Sequence, residues 1–238
     1  MRAGFLALLL LIASAGPVRP QVPVDLELVI AVDISRSVDD VEAQLQRDGY
    51  VAAFTDPRVI EAIQGGAIGA IAVTYVEWAG VDYQRTMVDW FLVSDGESAG
   101  EFASRIAALP RVSMGWTSIS GAIDYAARQF GSGYSGTRRV IDISGDGINN
   151  SGRPAWLARD DAVRQGIVIN GLPILNDRPN FGRPAEPHLD QYYGTFVIGG
   201  PGSFLIAAED YRAFAGAILA KLIREIAALP ADPAQYSQ

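Results

Sequence analysis

Residues 26–32 (Leu-Glu-Leu-Val-Ile-Ala-Val) form a short, almost unbroken apolar run. A strand of this kind is buried on both faces, as in a parallel sheet covered by helices on either side. Residues 138–144 read as the next buried strand and residues 167–175 as another. Residues 67–78 and 85–93 read as two more strands, joined as a hairpin across residues 79–84. Between strands the period becomes helical. Ser37-Val38-Asp39-Asp40 opens an amphipathic stretch that runs to about Phe54, with Ser37 as N-cap and the acids at the positive end of the helix dipole. A further helix is expected over residues 57–64. Ser98 and Glu101 make a capping box for the next, which Pro110 ends. Thr117 or Ser118 starts another that reaches Phe130, and Pro154 suits the first turn of one that stops near Gly166. A closing helix spans residues 209–229, with Phe214, Ile218, Leu222 and Ile226 at helical spacing. Residues 176–194 are polar and proline-rich and read as a loop; residues 195–198 read as a last short strand.

This alternation predicts an α/β fold with a mostly parallel central sheet and helices on both faces. No internal repeat or mid-chain linker is evident, so one domain is expected over residues 25–230, between a proline-rich leader (16–24) and a C-terminal tail (231–238). Residues 1–15 are set apart from it. Arg2, the apolar run 5–12 and Ala13-Ser14-Ala15 have the layout of a cleaved secretory signal peptide. The apolar run falls short of the roughly 20 residues a membrane-spanning helix needs. The protein is therefore expected to be periplasmic or secreted, without stable membrane insertion.

Composition removes whole classes of chemistry. The formal charge of −8 argues against a nucleic-acid partner. The absence of cysteine excludes disulfides, thiolate metal sites and a cysteine nucleophile, and fits folding in a bacterial periplasm. The single histidine, His188, excludes a multi-histidine metal centre. Gly131-Ser132-Gly133-Tyr134-Ser135-Gly136 matches G-x-G-x-x-G, but follows a helix and precedes a strand, the reverse of a dinucleotide fingerprint.

In open α/β sheets, ligands bind beyond the carboxyl ends of the strands, where the winding changes direction. The first long strand ends in Asp33-Ile34-Ser35-Arg36-Ser37. Asp33, Ser35 and Ser37 alternate, so an extended turn puts three oxygen donors on one side. Thr117, just before a helix, adds a hydroxyl, and Asp146, in Ser144-Gly145-Asp146-Gly147 after the strand 138–144, adds a carboxylate. Oxygen-only ligands suit a hard cation such as Mg²⁺.

Asp-x-Ser-x-Ser after the first strand, a threonine before a mid-domain helix and an Asp-Gly after the next strand resemble the von Willebrand factor type A (vWA) domain, and more narrowly exported bacterial vWA-like proteins of unknown function. The resemblance covers most of the chain beyond the leader. It implies a Rossmann-like fold and a metal-ion-dependent adhesion site (MIDAS) formed by Asp33, Ser35, Ser37, Thr117 and Asp146. It also implies a bound Mg²⁺, with Mn²⁺ or Ca²⁺ as alternatives, whose open position takes an Asp or Glu carboxylate from a partner protein. Arg36, Trp116, Asn149, Asn150 and Arg153 would ring the pocket and contact that partner. The function expected is thus a metal-dependent protein-binding module, not an enzyme. One alternative is a Mg²⁺-dependent hydrolase, chiefly a phosphatase, with Asp33 as nucleophile. It lacks the second acid two residues on, where Ser35 stands. The other is a scaffold that retains the site unused.

Overall fold

The computed structural model describes residues 20–131, 133–175 and 186–227. The expected signal peptide, most of the expected leader, residues 176–185 of the expected loop and the expected C-terminal tail lie outside them.

The apolar run folds as β2 (Leu26–Asp33), buried at every position. Strand geometry sends alternate side chains to opposite faces, so one run supplies two cores. Leu26, Leu28, Ile30 and Val32 meet Tyr50, Phe54, Phe102, Phe214 and Ile218 on one face. Val29 and Ala31 meet Ile119, Ile123, Ile143, Ile169 and Tyr193 on the other. The first face is covered by α1 (Asp40–Phe54), α2 (Pro57–Gln64), α3 (Gly96–Ala107) and, near the C-terminus, the closing helix over Phe214–Ala227. The second is covered by α4 (Ile119–Ala127) and α5 (Ala155–Arg164).

With β1 (Val22–Val24), β3 (Ile71–Trp78), β4 (Gln84–Val93), β5 (Tyr134–Gly136), β6 (Arg139–Gly145) and β7 (Val168–Pro173), the five-stranded sheet has the order β4-β3-β2-β6-β7. All neighbours are parallel except the β3–β4 hairpin. The chain moves outward from β2 through β3 to β4, then returns to β6 on the other side. The winding therefore reverses between β2 and β6, and Asp33 and Asp146 stand at the carboxyl ends of these two strands.

Several local expectations are corrected. Asp39, not Ser37, caps α1, in a capping box with Glu42. Asp95, not Ser98, caps α3, and Ser98 is the return partner of its box. The leader contributes β1, which pairs in parallel with β5 inside the glycine-rich 131–136 segment. The strand expected at 195–198 is instead a π-helix, Tyr193–Val197, continuing directly from the short helix α6 (Leu189–Tyr192). Both elements fall in or just beyond the segment expected as loop.

The closing helix, α7 (Phe214–Ala227), is fastened to the sheet by buried charge. Lys221 lies 2.6 Å from Asp142 of β6 with both side chains fully buried, and also pairs with Glu225. Asn170 of β7 donates a 3.0 Å bond to Glu225. Burial first, then the charge of Asp142, pushes the Glu225 carboxyl up to about 7.

Candidate metal centre

The turn after β2 is shaped by its own side chains. Asp33 Oδ1 accepts a 2.7 Å bond from the backbone N–H of Ser35. This leaves the Ser35 hydroxyl facing that of Ser37 at 2.8 Å. Ser37 in turn donates a 2.6 Å bond to Asp146 Oδ1. Asp39 takes the capping duty, and Ser37 belongs to this cluster.

Thr117 arrives on a loop pinned at several points. Met114 donates its N–H to Ile34, Gly80 to Gly115, and Ser118 to Ala79. Ser118, not Thr117, caps α4, with its side chain accepting from Gly121. The Thr117 hydroxyl is thereby left out of the cap. A Cβ placed on Gly147, beside Asp146, would lie 3.7 Å from that hydroxyl oxygen. All five expected residues are therefore gathered at the winding switch, with Asp33, Ser35 and Thr117 buried.

The electrostatics of this cluster are unbalanced. Asp33 is fully buried, and its Oδ2 has no hydrogen-bond partner. Burial, followed by the charge of Asp146, raises the Asp33 carboxyl well above the usual carboxylate range, against the opposing bonds from Ser35. Asp146 is raised as well, again by burial first, opposed by Ser37 and Tyr211. Two carboxylates, three hydroxyls and an orphaned buried oxygen suit a small hard cation, which would satisfy that oxygen and offset the repulsion. Among the described residues, no group of three or more His, Cys, Asp or Glu side chains is placed to hold a metal; the ligand set here is mainly hydroxylic.

The expected rim residues divide. Arg36 is exposed, and Trp116 is 64% exposed with a backbone φ of +69°. Asn149 and Asn150 are clasps. Asn150 Oδ1 accepts from the Thr117 N–H at 2.8 Å, and Asn149 Oδ1 accepts from the Ser120 N–H at 2.9 Å. Arg153 turns away, with its guanidinium on Asp124 and Asp161 between α4 and α5. Beside these clasps lies a groove of about 440 Å³, whose lining includes Asn149, Asn150, Trp156, Tyr192 and Phe196. His188 is exposed.

Sequence reasoning missed Tyr193 and Tyr211. Both rings are buried, neither hydroxyl has a regular hydrogen bond, and burial first, then the charges of Asp33 and Asp146, raise both hydroxyls. Tyr211 lies near enough to Asp146 to affect its charge without being placed for a regular bond. Neither stands in a local motif. For Tyr193 the available signal was a tyrosine placed among the small and polar residues of an expected loop; Tyr211 fell in the first turn expected of the closing helix, which begins only at Phe214.

This architecture defines a vWA-like α/β module. The chain belongs to the family described as "Protein of unknown function (DUF1194)", whose model matches residues 23–230. Three solved structures share the fold. BatB from Bacteroides thetaiotaomicron, a conserved hypothetical protein, is 19% identical with a TM-score of 0.56, over 85% of this chain and 98% of its own. Proximal thread matrix protein 1 from the mussel byssus, with a zinc-occupied MIDAS motif, is 13% identical with a TM-score of 0.61, over 86% of this chain and 46% of its own. A von Willebrand factor type A protein from Catenulispora acidiphila is 13% identical with a TM-score of 0.56, over 86% of this chain and 42% of its own. The match thus spans less than half of the latter two. Among curated proteins none matches the chain.

Proposed function

We propose that the protein is an exported binding module in which Asp33, Ser35, Ser37, Thr117 and Asp146 hold a divalent cation, Mg²⁺ in the first instance, with Mn²⁺ or Ca²⁺ as alternatives. The observation that carries this reading is the partnerless, fully buried Oδ2 of Asp33 beside a second carboxylate and three hydroxyls. The bound ion would supply an electrophilic position for an Asp or Glu carboxylate of a protein partner. The zinc-occupied MIDAS of the byssal matrix protein supports a cation in a module of this fold. Two carboxylates balance the cation's charge without exceeding it, and the three neutral hydroxyls leave it able to take an outside anion. Trp116, exposed beside Thr117, supplies an apolar anchor next to that position. In this reading the protein acts after export, in the periplasm or beyond it.

The phosphatase reading is disfavoured by Lys221, the chain's one lysine. It is buried between Asp142 and Glu225 and offers no charge to a phosphate.

Calorimetric titration of Mg²⁺ and Mn²⁺ into metal-stripped protein tests the proposal, with Ser35→Ala/Ser37→Ala titrated in parallel. Saturable binding by the wild type alone is expected. Equal heats from both proteins, or none from either, would overturn the site.

A further inference from the structure

Tyr193 opens the π-helix and Tyr211 lies in the turn before α7. Their rings are 0% and 4% exposed, and neither hydroxyl has a hydrogen-bond partner. A buried unpaired hydroxyl is costly, whereas phenylalanine would fill the same space without that cost. The Tyr193 phenol nevertheless stands beside the Asp33 carboxylate. A Cβ on Gly145 would lie 2.9 Å from Asp33 Oδ2 and 3.0 Å from the Tyr193 hydroxyl, so two orphaned oxygens flank a residue that has no side chain. Burial first, then the charges of Asp146 and Asp33, raise the Tyr211 hydroxyl. Single π-turns inside helical segments recur at functional sites, and this one delivers Tyr193.

We infer that Tyr193 and Tyr211 are positioning residues of the metal centre. Their hydroxyls, left unpaired beside the carboxylates of Asp33 and Asp146, would fix those carboxylates once the cation is bound. They also tie the π-helix and the approach to α7 to metal loading. Outer partners of this kind orient ligating carboxylates, and their loss weakens metal binding about 10–100-fold. The inference rests on the metal reading above but concerns two residues outside its ligand set.

Tyr193→Phe, Tyr211→Phe and the double variant test it, since each keeps the buried ring. Three quantities are read: the Kd for Mn²⁺, the Tm in EDTA, and hydrogen exchange of residues 189–197 and 205–213 with and without Mn²⁺. The expected result is a Kd raised about 10-fold by each single change. The Tm in EDTA should be unchanged or higher, and Mn²⁺-induced protection of both segments should shrink. An unchanged Kd, or a fall in the EDTA Tm that accounts for the weaker binding, would overturn the inference and leave the metal site standing. A wild type that binds no Mn²⁺ would remove the metal reading itself.

Discussion

Ser37 and Asp146 are 109 positions apart in sequence, yet a 2.6 Å hydrogen bond joins their side chains. The bond bridges the turn after β2 and the turn after β6, the two sides of the winding switch. It also gives Asp146 one of the few favourable contacts open to its charge. Ser37→Ala should therefore act twice. The metal-free protein should lose about 1.5 kcal/mol, a fall of roughly 3–6 °C in Tm. Mn²⁺ affinity should fall as well, because a ligand oxygen is gone. Thermal melts in EDTA and with saturating Mn²⁺ separate the two effects. A gap between the melts that matches the wild type would remove Ser37 from the ligand set.

Gly145 is the place where added bulk should close the site without removing a ligand. Its Cβ would press on Asp33 Oδ2 and the Tyr193 hydroxyl, at 2.9 and 3.0 Å. Asp33 Cβ would itself lie 3.2 Å away and Oδ1 is held by the Ser35 N–H, so the carboxylate has little room to swing clear. Gly145→Ala should lower Mn²⁺ affinity at least about 10-fold and cost about 1–3 kcal/mol of stability as overpacking. Unchanged Mn²⁺ titration in a folded variant would mean that the cation sits elsewhere.

The central strands and the cluster after β2 were legible because their signals are local. An apolar run of seven residues can be satisfied in few ways, and Asp33, Ser35 and Ser37 share one turn. What was hidden depended on distant partners. Ser37 and Asp39 are both good cap residues, and the choice falls to Asp39 because Asp146 claims Ser37. Residues 195–198 carry β-favouring side chains, yet Tyr193 and Val197 are buried in the core beneath β7, and that packing imposes a helical turn. β1 and β5 have three residues each, too few to show a period.

Arg153 was expected at the rim, and its contacts assign it to the scaffold. It bridges Asp124 on α4 and Asp161 on α5. More than a third of its side chain is exposed, so solvent and salt weaken the pair. Arg153→Ala should cost about 1 kcal/mol, with a drop of roughly 2–4 °C in Tm that narrows at high salt. The Kd for Mn²⁺ should not change. A variant of normal stability with weakened Mn²⁺ binding would return Arg153 to the site.

Trp116 holds an exposed indole on a left-handed backbone, a conformation costly for a large side chain. Trp116→Gly should relieve the backbone and raise Tm by about 2 °C, with Mn²⁺ affinity retained. Such a result would mean that the indole is kept for contact with a partner. A lowered Tm would show that the indole packs the loop carrying Thr117.

Glu225 gives the pH dependence a definite sign. Its carboxyl ionises near 4.5 in an unfolded chain and near 7 in the folded one, where burial and Asp142 outweigh the help from Lys221 and Asn170. Between those values the folded state keeps a proton that the unfolded state has lost. Rising pH therefore favours unfolding across this window, and the effect levels off above about 7. Glu77, pushed up to about 7 by burial against the pull of Arg47 and Arg111, adds a slope of the same sign. Glu225→Gln keeps the oxygen that accepts from Lys221 and Asn170 but cannot ionise. Urea unfolding at pH 5 and pH 7.5 should show the wild type losing stability at the higher pH. In Glu225→Gln that loss should shrink by on the order of 3 kcal/mol, with the Glu77 share remaining. Parallel pH profiles for the two proteins would mean that Lys221 keeps Glu225 ionised throughout, and that the buried triad carries a net negative charge beneath α7.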